Sequence, residues 1–121
     1  LGGTNFSLLE MMRSDKEELH TFKDFSKTGH TAEEMTQIVN QLISEINGDY
    51  SCKQVIISGG ITRILEGYYL QQQCKLKSVI GMGSALLKFA SGEYEQLQRH
   101  LLYLKKSYQL ASTFFTVKHQ I

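Results

Sequence analysis

The strongest constraint on the fold is a pair of short apolar runs, each followed by glycines and then by a helical pattern. Val55-Ile56-Ile57 is continuously apolar and β-branched, and Val79-Ile80 repeats this character further along the chain. Such runs are typical of strands that are buried on both faces of a parallel sheet. The turns Ser58-Gly59-Gly60 and Gly81-Met82-Gly83 end the two runs. The pattern predicts parallel strands connected through helices, which is an α/β architecture.

Helical patterns surround the two strands. Thr31-Ala32-Glu33-Glu34 fits a capping box and predicts a helix over 32–46, which ends before Asn47-Gly48, two residues that tolerate left-handed backbone. Further helices are predicted over 62–73, over 85–89 and from Ser91-Gly92 onwards. The apolar faces that we expect to enter the core are Met35, Ile38, Val39, Leu42, Ile43 and Ile46 in the first helix, and Tyr94, Leu97, Leu101, Leu104, Tyr108, Ala111 and Phe115 in the last.

Charge and composition narrow the classes of partner. The 121 residues carry a formal net charge of +1, which gives no electrostatic case for nucleic acid or an anionic membrane. No apolar run reaches the length of a membrane span. The two cysteines and four histidines show no metal-ligand spacing. We therefore predict no nucleic-acid partner, no membrane association and no metal site, and we expect free thiols in a cytoplasmic protein.

The two glycine turns are the candidate functional feature. Glycine allows the backbone to approach an anion closely, and the amides that open a helix favour negative charge. In (βα)8 barrels, the loops after the last two strands and a short extra helix frequently form a phosphate site. Either turn alone is explained as a tight connection between a strand and a helix. Together with the short helix that follows Gly83, they favour phosphate binding.

A family resemblance extends this interpretation. The stretch IISGGITRILEGYYLQQQCKLKSVIGMGSALLKFASGE resembles the last two βα units of flavin mononucleotide (FMN) barrel enzymes, and EYEQLQRHLLYLKKSYQLASTFFTVKHQI resembles their closing helix. Gly2-Gly3-Thr4-Asn5-Phe6, with Glu10 after it, is similar to the type 2 isopentenyl-diphosphate isomerases. The resemblance implies a partial (βα)8 TIM barrel made of the last two to three βα units. Residues 1–121 would then form the C-terminal part of an FMN-binding domain.

The resemblance also implies site residues. Thr4 would touch the flavin, the first glycine turn would hold the phosphate through backbone amides, and the second turn would complete the cradle. The implied FMN site consists of Thr4, Gly59, Gly60, Ile61, Thr62, Gly83 and Ser84. The chain departs from the family's pattern at Phe25, where the isomerases have tryptophan, and at Gln71-Gln72-Gln73, where they have small apolar residues.

The implied activity is the interconversion of isopentenyl and dimethylallyl diphosphate by a flavoprotein isomerase of isoprenoid biosynthesis. It would use reduced FMN, with NADPH and Mg²⁺, in a cytoplasmic homo-oligomer. The family's catalytic, magnesium and substrate ligands lie in the N-terminal half of its barrel, so we expect no catalytic residue in this chain and no activity from it alone. Two alternatives stay open: a piece of an FMN-dependent 2-hydroxy-acid oxidoreductase, and a non-enzymatic α/β chain that binds a phosphate or a partner.

Overall fold

Helices and strands alternate along the described part of the chain. The computed structural model describes residues 29–46 and 48–118. Strands β1 and β2 pair in parallel, from Gln54 opposite Lys77 to Ile57 opposite Ile80. The described residues thus form a helix-rich unit with a two-stranded parallel sheet, which is compatible with the predicted α/β class. The elements are α1 (Ala32–Glu45), β1 (Gln54–Ile57), α2 (Ile64–Gln73), β2 (Lys77–Ile80), α3 (Ser84–Ala90) and α4 (Tyr94–Phe114).

The capping box that was predicted for α1 is confirmed. The Glu34 amide donates to Thr31 Oγ1 at 3.1 Å, and the Thr31 amide donates to Glu34 Oε2 at 2.9 Å. The helix ends at Glu45, with Ile46 extended at φ −75° and ψ 110°. Gly48 is not among the glycines with positive φ, so a left-handed stop at that residue is wrong, and Asn47 lies outside the described residues. The helix is closed by an extended residue instead.

The buried side of α1 differs from the predicted one. Ala32 and Thr36 are buried, with exposed fractions of 6% and 1%. Thr36 Oγ1 donates to the Ala32 carbonyl oxygen at 2.8 Å, so its hydroxyl is hydrogen-bonded and can be buried at little cost. The larger apolar residues of the predicted face are partly or largely exposed. Those classed as exposed are Ile38, Leu42 and Ile46.

Within residues 29–46 and 48–118, helices cover one face of the sheet, and the exposure of the other face corrects the prediction of strands buried on both faces. Ile57 is fully buried and belongs to a cluster with Ile61 and Leu70. Ile56 and Val79 are paired across the two strands, and both are more than half exposed, at 58% and 57%. Because successive side chains of a strand point to opposite faces, Ile56 and Val79 form an uncovered face opposite α2.

Helix α2 lies close against β2 because of a glycine. The helix begins at Ile64 rather than at the predicted residue 62, since Arg63 is still extended. Gly67 is buried in this helix, and a Cβ on it would lie 2.6 Å from Ile80 Cδ1 and 2.8 Å from Ile80 Cγ2. Real Cβ contacts are essentially never that short. Gly67 therefore lets the helix approach the strand more closely than any side chain would allow.

A chain of hydrogen bonds connects α4, α2 and β2. Tyr108 donates its hydroxyl to Gln71 Oε1 at 2.7 Å, and Gln71 Nε2 donates to the Ser78 carbonyl oxygen at 2.7 Å. Tyr68 packs edge-on against Tyr108, with ring centroids 5.8 Å apart. These contacts give Gln71 a structural role between the two helices and the sheet.

The apolar stripe of α4 is only partly buried, which corrects the prediction that the whole stripe enters the core. Ala111 is fully buried near the C-terminal end of the helix. Leu97, Leu104 and Tyr108 are half-buried. Tyr94, Leu101 and Phe115 are exposed.

Candidate functional site

The two glycine turns meet in one cleft at the carboxyl ends of β1 and β2. Because the strands are parallel and paired in register up to Ile57 and Ile80, the loops that follow them emerge at the same edge of the sheet. The cleft has a volume of about 450 Å³. Thr4 lies outside the described residues, but the other predicted residues, Gly59, Gly60, Ile61, Thr62, Gly83 and Ser84, all line this cleft.

The first turn requires its two glycines for conformational reasons. Gly59 has φ 95° and Gly60 has φ 77°, a region that residues with a side chain rarely adopt. Ile61 follows them and is 4% exposed, with its side chain in the core cluster. The Ile61 side chain thus anchors the turn from below. The main chain of Ile61, rather than its side chain, is therefore the part that a ligand in the cleft could contact.

The second turn contains two glycines of different kinds. The Gly81 amide donates to the Ile57 carbonyl oxygen at 2.8 Å, and a Cβ on Gly81 would lie 3.2 Å from Ser58 Cβ. Gly81 therefore keeps the two loops close together. Gly83 has φ −114° and ψ −76°, a right-handed conformation with negative φ, and a Cβ on it would meet nothing within 4 Å. Among the described residues, neither a positive φ nor close packing explains the glycine at position 83.

The cleft offers neutral hydrogen-bond donors. In the part of the chain that the structure describes, no backbone hydrogen bond outside the helices and strands uses the amide of Gly59, Gly60 or Gly83. Thr62 adds an exposed hydroxyl. Among the described residues that line the cleft, none has an ionisable side chain. The arrangement can hold an anion through main-chain dipoles, and it supplies no acid or base of its own.

A smaller cavity of about 200 Å³ lies behind the first glycine turn, against the N-terminal ends of α1 and α2. Glu33, Glu66 and Tyr69 line it together with Gly59 and Gly60. The Tyr69 hydroxyl donates to Glu33 Oε1 at 3.3 Å. Partial burial and, to a smaller extent, the adjacent Glu33 carboxylate raise the pKa of Tyr69 above its usual value. Tyr69 thus packs in its neutral form.

Sequence reasoning missed a further groove between the start of α2 and the middle of α4. It has a volume of about 560 Å³, and Arg63, Glu66, His100 and Tyr103 are among the residues that line it. Arg63 and Glu66 lie at the start of α2, whereas His100 and Tyr103 lie on α4, which is distant in the sequence. No residue spacing predicts that these side chains meet, so only the packing of α2 against α4 reveals the groove.

Comparisons of this chain with protein-family profiles, with curated proteins and with solved structures find no match. Within residues 29–46 and 48–118, no three His, Cys, Asp or Glu side chains are grouped as metal ligands. None of the helices in that part of the chain is long and apolar enough to cross a membrane. Cys52 and Cys74 are both free.

Proposed function

We propose that the cleft at the ends of β1 and β2 binds the phosphate of FMN. The observation that carries the proposal is the meeting of the two loops around Gly83, a glycine that the fold itself does not require. A residue without a side chain at the lip of a cleft allows close approach of a ligand to the backbone. The amides of Gly59, Gly60 and Gly83, which make no backbone hydrogen bond among the described loops, match the acceptor oxygens of a phosphate.

We further propose that the chain is the C-terminal part of a (βα)8 barrel. Two features support this. The strands are parallel, with α2 on one face, and the opposite face carries the uncovered pair Ile56 and Val79. In such a barrel, this second face would turn inward and be filled by β-branched side chains from the other strands. The phosphate cleft would then lie at the end of the barrel where the ligands of this fold bind.

The activity that we propose for the parent protein is that of a type 2 isopentenyl-diphosphate isomerase. This part of the proposal rests on the resemblance of the sequence, including the motif around Thr4, which lies outside the described residues. FMN, when bound, supplies the flavin chemistry, while Gly59, Gly60, Ile61, Thr62, Gly83 and Ser84 hold its phosphate. Mg²⁺, NADPH, the diphosphate substrate, a cytoplasmic location and a homo-oligomeric state belong to the same proposal.

The phosphate site is tested by a comparison of FMN with riboflavin, which lacks the phosphate. We expect the protein to bind FMN more tightly than riboflavin and inorganic phosphate to compete with FMN. Gly83→Ala should weaken FMN binding by about tenfold, since its methyl group occupies the cleft, while riboflavin binding changes little. Gly48→Ala is the matched control, because a Cβ on Gly48 also meets nothing within 4 Å and Gly48 lies outside the cleft.

The outcomes separate the proposals. Equal binding of FMN and riboflavin, or equal effects of the two glycine variants, would refute the phosphate site. FMN binding by the full gene product without isomerisation of isopentenyl diphosphate, when reduced FMN and Mg²⁺ are supplied, would refute the isomerase assignment alone. Oxidation of a 2-hydroxy acid in the same preparation would support the oxidoreductase alternative. Failure to bind FMN at all would leave the non-enzymatic α/β chain.

A further inference from the structure

The groove between α2 and α4 has the size and lining of a small-molecule site. Its volume of about 560 Å³ falls within the range of roughly 300–1,000 Å³ that is usual for such sites. Leu65 and Leu104 supply apolar surface, and Arg63, Glu66 and Tyr103 supply polar groups. The groove is distinct from the proposed phosphate cleft, although Thr62 lines both. A ligand here would therefore add to the function proposed above rather than take part in it.

His100 and Tyr103 line the groove from α4, and a phenylalanine outside the lining stacks on His100. Phe89 lies against His100 with ring centroids 3.9 Å apart and an interplanar angle of 10°. Tyr103 continues the stack, with its centroid 6.2 Å from that of His100 and an angle of 25°. Tyr103 is 64% exposed. Since aromatic rings favour offset stacking on one another, a planar ligand group in the groove would stack on the exposed ring of Tyr103.

The groove also contains one positive and one negative side chain that form no ion pair with another described residue. Arg63 occupies the N-cap position of α2 without a side-chain capping bond, and Glu66 lies in the first turn of that helix. Among the described residues, neither takes part in a salt bridge, whereas Glu95 and Arg99 on α4 pair at 3.9 Å. A ligand with a single charge would be attracted by one of the two groove residues and repelled by the other. A ligand with both charges would match both.

We propose that this groove binds a free aromatic α-amino acid. The carboxylate of the ligand pairs with the Arg63 guanidinium, its ammonium group pairs with the Glu66 carboxylate, and its ring packs against Tyr103 and Leu65. The proposal depends on the geometry of α2 and α4 alone. It is independent of whether FMN binds at the glycine turns, and the experiments below involve no flavin.

L-Tryptophan is a suitable probe, because the protein has no tryptophan of its own. Excitation at the red edge of indole absorption, where tyrosine does not absorb, reports on the ligand alone. Titration of the probe with protein should raise its fluorescence anisotropy and shift its emission to shorter wavelength as the ring enters the groove. Two analogues test the charges: indole-3-propionate lacks the ammonium group, and tryptamine lacks the carboxylate. We expect L-tryptophan to bind more tightly than either analogue.

Each of two charge variants should weaken the binding of L-tryptophan and of only one of its two analogues. Arg63→Gln should weaken L-tryptophan and indole-3-propionate by at least about tenfold and leave tryptamine unweakened. Glu66→Gln should weaken L-tryptophan and tryptamine and leave indole-3-propionate unweakened. Tyr103→Ala should weaken all three ligands. Arg99→Gln is the matched control, since Arg99 is an exposed arginine on α4 outside the groove.

The side chains concerned are exposed, so the variants should retain the circular dichroism spectrum of the wild type. No binding of L-tryptophan to the wild type would overturn the proposal. Equal affinity for the three ligands, or equal losses in the Arg63, Glu66 and Arg99 variants, would overturn it as well, since either result means unspecific adsorption to apolar surface.

Discussion

The contact between Gly67 and Ile80 predicts that the effect of Gly67→Ala on the free energy of unfolding changes sign with the residue at position 80. Replacement of a helical glycine by alanine ordinarily stabilises a helix by about 1 kcal/mol. Here the new Cβ would lie 2.6 Å from Ile80 Cδ1, 2.8 Å from Cγ2 and 3.1 Å from Cγ1. Overpacking of this kind typically costs about 1–3 kcal/mol. The branched side chain of Ile80 is stiff at χ1, so one rotation does not relieve all three contacts.

We therefore expect Gly67→Ala to lower the free energy of unfolding by about 1 kcal/mol, the overpacking cost minus the gain in helix propensity. Ile80→Ala removes the three atoms that would clash. In that background only the propensity effect remains, and Gly67→Ala should raise the free energy of unfolding by about 1 kcal/mol. The coupling energy between the two positions is then about 2 kcal/mol, within the range seen for residues in contact.

The assay is equilibrium urea unfolding of the four proteins of the cycle, followed by helical circular dichroism. Ile80→Ala is itself destabilising, so Ile80→Val serves as a milder background. It removes only Cδ1, the nearest atom, and should reduce the cost of Gly67→Ala in part. The close approach of α2 to β2 would be refuted if Gly67→Ala stabilised the otherwise unchanged protein. An effect of the same sign and size in all three backgrounds would refute it equally.

Two further predictions concern side chains that connect α1 to α2. Asn40 Nδ2 donates to the Gln73 carbonyl oxygen at 2.6 Å, and Asn40 Oδ1 accepts a hydrogen bond from the Lys75 amide at 2.8 Å. Asn40→Ala should therefore lower the free energy of unfolding by about 1–2 kcal/mol in urea titrations. An unfolding midpoint equal to that of the wild type would show that water replaces both hydrogen bonds. The pKa of Tyr69 is raised by burial and by Glu33, so the folded state keeps the phenol proton above pH 10.0 while the unfolded state loses it, and stability should fall as the pH rises past that value. Glu33→Gln should lower the pKa of Tyr69 in a ring-carbon NMR titration, and an unchanged midpoint would contradict the assigned cause.

The convergence of the two turns could be predicted from the sequence because it follows from local rules. Two β-branched runs of similar length predict parallel strands, and parallel strands place the loops that follow them at one edge. The capping box at Thr31 and Glu34 is likewise a local pattern, and the structure has both of its hydrogen bonds. The sequence predicts the start of α2 two residues too early, because nothing in Thr62 or Arg63 marks the boundary.

The covered faces could not be predicted, because periodicity locates apolar residues without identifying what covers them. In α1, the face with Ile38 and Leu42 is more apolar than the face with Ala32 and Thr36, yet the second face is buried. The small residues Ala32 and Thr36 allow α1 to pack closely, and the Thr36 hydroxyl donates its hydrogen bond to the Ala32 carbonyl oxygen within the same helix. The role of Gln71 could not be predicted from the sequence either, because only tertiary packing brings it to its hydrogen-bond partners Tyr108 and Ser78.

In the two turns, the structure distinguishes glycines that the fold requires from one that it does not require, a distinction that the sequence alone does not make. Gly59 and Gly60 have positive φ, and a Cβ on Gly81 would lie 3.2 Å from Ser58 Cβ. The requirements of folding therefore account for all three glycines. The choice of glycine at these three positions is therefore no evidence for a phosphate site, whatever their backbone amides contribute to one. Gly83 has a negative φ, and a Cβ there would meet nothing within 4 Å, so the described chain has room for a side chain at this position. The case for a ligand therefore depends on the glycine that folding leaves unexplained, which is why Gly83→Ala is the decisive variant.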